Sequence, residues 1–274
     1  EQLMSRAERL AAVTDQVSSR FARQLAATLR EVERALARIH WPEASDSMLI
    51  RASDASAIRR QLRSILERSG YRDLITVATD VPFDQIERAS RRLSMVSAGA
   101  GEPSVPIRLQ ALRELHRLDL FQAEGAIAGH LEEAVSRSVM AGRSQSAAIR
   151  DLARAFDRSE RQVGVLFDTA ASVYSRETQA VESGNDPGTL FVYVGPVDTK
   201  TRPFCLRYAG RVLRRREIDR LNNGQIPNVF LSAGGYSCRH TWVEIDPESD
   251  LARLHGRRER MPEVRDAVRR QRAA

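Results

Sequence analysis

Lysine is almost missing from this chain: of 43 basic residues in 274, only Lys200 is a lysine and the rest are arginine. So strong a skew reads as the arginine codons of a GC-rich genome rather than as a demand of the fold. Cysteine is nearly as scarce. Two thiols, Cys205 and Cys238, cannot make a disulfide framework, so a reducing compartment is expected. Aromatic residues make up 5% of the chain against 29% charged. That balance favours helices closed by Ala, Leu and Ile over an aromatic-rich β-sandwich. No apolar run approaches the ~20 residues of a membrane-spanning helix. The opening EQLMSRAERL is charged and amphipathic, so no secretory leader is expected there. A hydrophobic fraction of 42% is enough to bury a core and argues against wholesale disorder.

What is there is unevenly placed. The net charge of +7 does not spread along the chain: residues 199–274 carry 17 basic and 9 acidic side chains, and the preceding residues are nearly neutral. A basic last quarter suggests a segment that meets phosphate or an acidic protein surface, or else a solvated basic face.

The first 40 residues read as one long helix. Leu10, Val13, Val17, Phe21, Leu25, Leu29, Val32, Leu36 and Ile39 recur at spacings of three and four, a stripe that needs a partner helix from this chain or a neighbouring subunit. Trp41-Pro42 is expected to end it. Asp54 offers an N-cap to a second helix stopped by Gly70, and Pro82 is expected to open a third. SAGAGEPSVP, residues 97–106, reads as a linker. A long helix follows over 107–140, stopped by Gly142. Ser144 can cap a short helix, and Ser159 with Gln162 predicts a capping box opening another that runs to Val181.

The texture changes after residue 188. TLFVYVG (189–195) alternates as a strand, with further short strands expected at 211–213 and 241–245 and a small helix near 215–221. The fold class predicted is mainly α with a small C-terminal α+β domain, the long amphipathic helices forming an N-terminal body. Four segments follow: helical regions 1–100 and 101–188, the small domain 189–250, and a basic, helical tail 251–274.

Within 189–246 lie Asp198, Arg202, Pro203 and Cys205, then Gly210, Pro227 and the run Gly234-Gly235-Tyr236-Ser237-Cys238-Arg239-His240. This Asp-x-x-x-Arg-x-x-Cys element with a later Cys-Arg turn resembles the C-terminal head-morphogenesis domain of tailed-phage minor head proteins, the family named for the F protein of phage Mu. Arg176-Glu177-Thr178 is similar to the helix that family places upstream, and the likeness covers about residues 140–246. The resemblance implies a non-enzymatic component of the virion head, present in the host cytoplasm during assembly. Its implied partners are the portal protein or the major capsid protein, and in some members packaged or entering DNA.

Where many members of that family have Cys-x-x-Cys and Cys-x-Cys, four thiolates suited to a structural zinc, this chain has Tyr208 and His240 at the second and fourth positions. Cys205, Cys238 and His240 remain, and Asp198 could complete a tetrahedral site. The alternatives are two small buried thiols with no metal, the reading that the missing thiolate favours, or a disulfide formed after release. Asp198 and Arg202 are expected to hold a loop as an ion pair or an Asx-turn, and Gly234 and Gly235 to permit positive φ; with Arg239 they form a structural motif.

Enzyme signatures are missing. There is no His-x-Glu with Pro-Cys-x-x-Cys, no His-Glu-x-x-His, no phosphate-binding Gly-rich loop, and no catalytic residue is expected. His40, His116 and His130 fall on helical segments, and a Cys and a His two apart on a strand do not make an oriented dyad. Phosphate or acidic-partner binding is expected at Lys200, Arg207, Arg211, Arg214, Arg215, Arg216, Arg257 and Arg258, by backbone contact rather than base readout. The alternative class is a nucleic-acid-modifying enzyme or toxin-like effector built on the small domain; a third is a basic host scaffold.

Overall fold

The computed structural model describes residues 2–36, 38, 52–94, 105–141, 145–183, 186–257 and 259–273. Five long helices come first: α1 (Gln2–Leu36), α2 (Ala52–Glu67), α3 (Tyr71–Ser94), α4 (Val105–Met140) and α5 (Gln145–Ser183). Short elements follow: β1 (Leu190–Val194), α6 (Pro203–Tyr208), β2 (Val212–Arg214), α7 (Arg215–Ile218), α8 (Val229–Ser232), β3 (Thr241–Glu244), a 3-10 turn at Asp250–Leu254, and α9 (Pro262–Ala273). The protein is mainly α with a small C-terminal α+β part, as the sequence pattern predicts. No helix among the described residues is long and apolar enough to cross a membrane.

Several expected boundaries move. Pro82 does not open a helix but lies inside α3. Ser159 is no N-cap: α5 runs unbroken through it, and its hydroxyl donates to the Ala155 carbonyl one turn back, a bond open to any interior serine. Asp54 falls within α2, which begins at Ala52. Val105 and Pro106, expected in the linker, are already helical. The expected stops at Trp41-Pro42 and Gly142, the rest of that linker, the cap at Ser144, Ile39, His40 and Arg258 lie outside the described residues.

The chain forms two compact units. One comprises 19–79 and 117–167; the other comprises 1–18, 80–116 and 168–274. They interleave along the chain instead of following the four consecutive segments, because α1, α3, α4 and α5 each contribute to both.

In the all-helical unit Phe21 stacks on Phe167 with centroids 3.8 Å apart, and Leu25, Leu29, Leu62, Ile75 and Leu131 are buried beside no solvent. The Tyr71 hydroxyl donates to the Leu120 carbonyl at 3.0 Å, tying α3 to α4. The α1 stripe is therefore covered within the chain itself. It is not left open for a neighbouring subunit, because helices of the same chain supply the apolar face it needs.

In the other unit β1 is the central strand of a fully antiparallel sheet ordered β2-β1-β3, with Val192 opposite Val212 and Val243. Successive side chains of a strand face opposite sides. Accordingly Val192 and Val194 join a core with Ala7, Leu10, Leu93, Val264 and Val268, while Phe191 and Tyr193 join Cys205, Ile218, Phe230, Cys238 and Trp242. The first core is aliphatic. The second holds the thiols.

Candidate functional site

Alternation along β1 places the Tyr193 hydroxyl between the two thiols, 3.4 Å from Cys205 Sγ and 3.7 Å from Cys238 Sγ. Pro203 fits the first turn of α6, where no N–H is needed, and that turn carries Cys205 inward. The two sulfurs lie 3.6 Å apart as free cysteines. Gly234 donates its backbone N–H to Cys238 Sγ at 3.2 Å. A Cβ at Gly234 would stand 2.4 Å from Cys205 Sγ, so any other residue there would displace the pair. Of the two glycines expected to take positive φ, only Gly235 does so, at +97°. Gly234 is required for space, not for conformation.

The His240 ring lies on that of Tyr193, centroids 5.2 Å apart and 19° from parallel. Its Nε2 is buried without a hydrogen-bond partner among the described residues. Cys205, Cys238 and His240 can each offer one ligand atom, all within 4.8 Å of one another. Two thiolates on one tetrahedral zinc would be separated by about 3.8 Å, close to the spacing seen, so three donors fit such an ion.

Asp198 does not make a fourth. Both its carboxylate oxygens are held by the Arg239 guanidinium, at 2.6 and 2.8 Å. The partner expected for Asp198, Arg202, instead donates to the Gly234 carbonyl at 3.2 Å, because it stands at the start of α6 and reaches across to the glycine turn. The Asx-turn is present: Lys200 N–H donates to Asp198 Oδ1 at 2.9 Å. Arg239, with the Lys200 and Thr201 bonds assisting against partial burial, holds the Asp198 carboxyl down at about 2.

From α5, Arg176 enters this core and is itself buried. Its Nε donates to the His240 carbonyl at 3.0 Å, Nη1 to Leu231 at 2.8 Å, and Nη2 to the Cys238 carbonyl. One cation thus ties together the α8 end, the cysteine turn and the entry to β3. The Cys205 bond, then the His240 ring and the Arg176 charge pull the Cys238 thiol below its ordinary range, against the effect of burial. The same bond and burial push Cys205 up. The cavity lined by Cys238 and His240 holds about 20 Å³, room for one water-sized group and none for a substrate.

The basic residues fare differently from one another. Lys200, Arg207, Arg216 and Arg257 are exposed, and Arg211 and Arg214 half-buried. Arg215 is engaged at home: it bonds Asp219 at 3.0 Å and lies 3.8 Å from the Phe230 ring centroid. Two arginines that residue-by-residue reading passes over, Arg260 and Arg272, bind backbone carbonyls at the end of α6. Their sequence signal is the arginine-rich stretch over 251–274. No family model matches this chain, and neither a curated protein nor a solved structure does.

Proposed function

We propose that this protein is a non-enzymatic structural component of a tailed-phage head, a minor head protein that docks on the portal or the major capsid protein, with its basic last quarter toward DNA backbone. The observation that supports it is the way the motif residues interlock. Arg176, Asp198, Arg202, Cys205, Gly234, Cys238 and Arg239 lie up to 63 positions apart, and each touches backbone or side chain of another part of the same small core. Residues so committed to one another serve architecture. The reading assigns the thiols and His240 to packing, without a cofactor, and the virion head as the site of action. The enzyme alternative needs a substrate-sized space beside Cys238, and the cavity there is water-sized.

Apolar surface for docking remains on the first half of α4, where Ile107 and Leu115 are exposed. The test is assembly: co-expression with the portal and major capsid proteins encoded in the same genome should yield heads that retain this chain through gradient purification. Heads of unchanged yield and composition when the gene is deleted, with no co-purification, would overturn the reading.

A further inference from the structure

Arg260, just before α9, and Arg272 on it both reach back to α6. Arg260 donates from Nη1 to the Ala209 carbonyl at 2.5 Å and from Nη2 to the Arg207 carbonyl at 2.9 Å. Arg272, on α9, donates from Nη2 to the Leu206 carbonyl at 3.2 Å. The Met261 N–H fixes the crossing by donating to the Gly210 carbonyl at 2.7 Å. Two guanidiniums are therefore held over one helix end, where unpaired carbonyls need donors.

Capping explains those two orientations and leaves two facts over. The first is the third cation. Arg211 follows directly in the chain, and its Nε is buried with no hydrogen-bond acceptor among the described residues. The second is the missing counter-charge. None of Arg211, Arg260 and Arg272 makes an ion pair among the described residues, and burial together with the charges of Arg211 and Arg272 pulls the Arg260 guanidinium down to about 10. Arg239, which has its carboxylate, is shifted the opposite way. Three like charges gathered without an anion repel one another, and an oxyanion among them removes that repulsion. Carbonyl bonds that orient two of the forks lower the conformational cost of receiving it.

We infer that Arg211, Arg260 and Arg272 form a binding site for a phosphate group. Guanidinium forks match phosphate oxygens in pairs, and the donors left free after capping are enough for several such bonds. The group could be free phosphate or one phosphate of a nucleic-acid backbone. The inference rests on the part of the proposed function that turns the basic quarter toward phosphate, and not on the head role.

The full chain is titrated with inorganic phosphate at constant ionic strength, chloride balancing, and separately with short DNA duplexes of two unrelated sequences at low salt. Phosphate should raise the melting temperature and shift the Nε–H resonances of Arg211, Arg260 and Arg272, a readout that needs no variant. Arg211→Gln and Arg272→Gln should each weaken phosphate binding by roughly tenfold, while Arg253→Gln, at an exposed side chain paired with Asp250 outside the cluster, should not. If the site takes backbone phosphate, inorganic phosphate competes with the duplex and both variants weaken both sequences equally. If it takes free phosphate, the duplex is indifferent to the variants while the phosphate response still depends on them. A wild-type chain that responds to neither probe, or variants that bind both as wild type does, would overturn the site. Either result leaves the assembly test unaffected, so the two failures are distinguishable.

Discussion

Arg239 grips Asp198 with both ends of its guanidinium, Nη1 to Oδ2 at 2.8 Å and Nη2 to Oδ1 at 2.6 Å, across 41 positions of chain. The fork joins the loop after β1 to the residue between Cys238 and His240. Because both carboxylate oxygens are used, the pair fixes the orientation of the second loop as well as its distance.

That bond sets a pH dependence. The folded carboxyl sits at about 2 against an ordinary 3.8. Its stabilisation is complete above the unfolded value and drains away as pH falls through the folded one. Asp198 keeps 41% of its side chain exposed, so solvent screening reduces the contribution to about 1 kcal/mol. Asp198→Asn should lower stability by about that amount at neutral pH. The gap between variant and wild type in urea unfolding should shrink steadily between about pH 4 and pH 2; a constant gap would remove the ion pair as its cause.

The thiol pair makes a second test. Cys205 and Cys238 are buried side by side, and the expected behaviour is that of packed thiols. Cys205→Ser should destabilise the C-terminal part by ~1–3 kcal/mol, and EDTA should leave the melting curve of the wild type unchanged. A zinc site would behave otherwise. Metal would be retained in native mass spectrometry, chelation would unfold the sheet region, and either serine variant would lose far more.

Much of this fold is legible in the sequence because its signals are local. Alternation in Leu190–Val194 marks β1, and the stripe from Leu10 to Val32 marks α1. What is not legible depends on tertiary choice. Ser159 with Gln162 satisfies a capping pattern, yet nothing in that pattern says whether the chain has already been helical for a dozen residues, as it has in α5. Asp198 has an arginine four residues away and takes one 41 positions away, since α6 turns Arg202 toward Gly234. Arg176 carries no local mark of burial. Its role becomes visible when the three carbonyls it serves are brought to one place.

The two apolar stripes should separate stability from docking. Phe21 is buried and stacked on Phe167, so Phe21→Ala should cost ~3–5 kcal/mol in equilibrium unfolding. Ile107 and Leu115 are exposed, and changing both to Ser should leave the unfolding midpoint nearly where it was. The same double change should abolish retention of the chain in assembled heads. If the double variant is retained as well as wild type, α4 does not carry the docking surface.

The triplet Arg214-Arg215-Arg216 looks uniform in sequence and is not uniform in the structure. Arg215 covers the Phe230 ring and pairs with Asp219, leaving 18% of its side chain exposed, whereas Arg216 projects into solvent. Arg215→Ala should therefore cost about 1–2 kcal/mol through the lost cation–π contact and ion pair. Arg216→Ala should change stability by less than about 0.5 kcal/mol. Electrostatics divides them the other way. An exposed guanidinium is free to displace a counterion from DNA, and one already neutralised by an aspartate must first give up its partner. Replacing all three by Gln should then flatten the log–log salt dependence of duplex binding by about one unit, mostly from Arg216, instead of the three that equal participation would give. Single Gln variants measured over a salt series decide this: a loss of slope shared evenly among the three would show that Arg215 leaves Asp219 to meet phosphate.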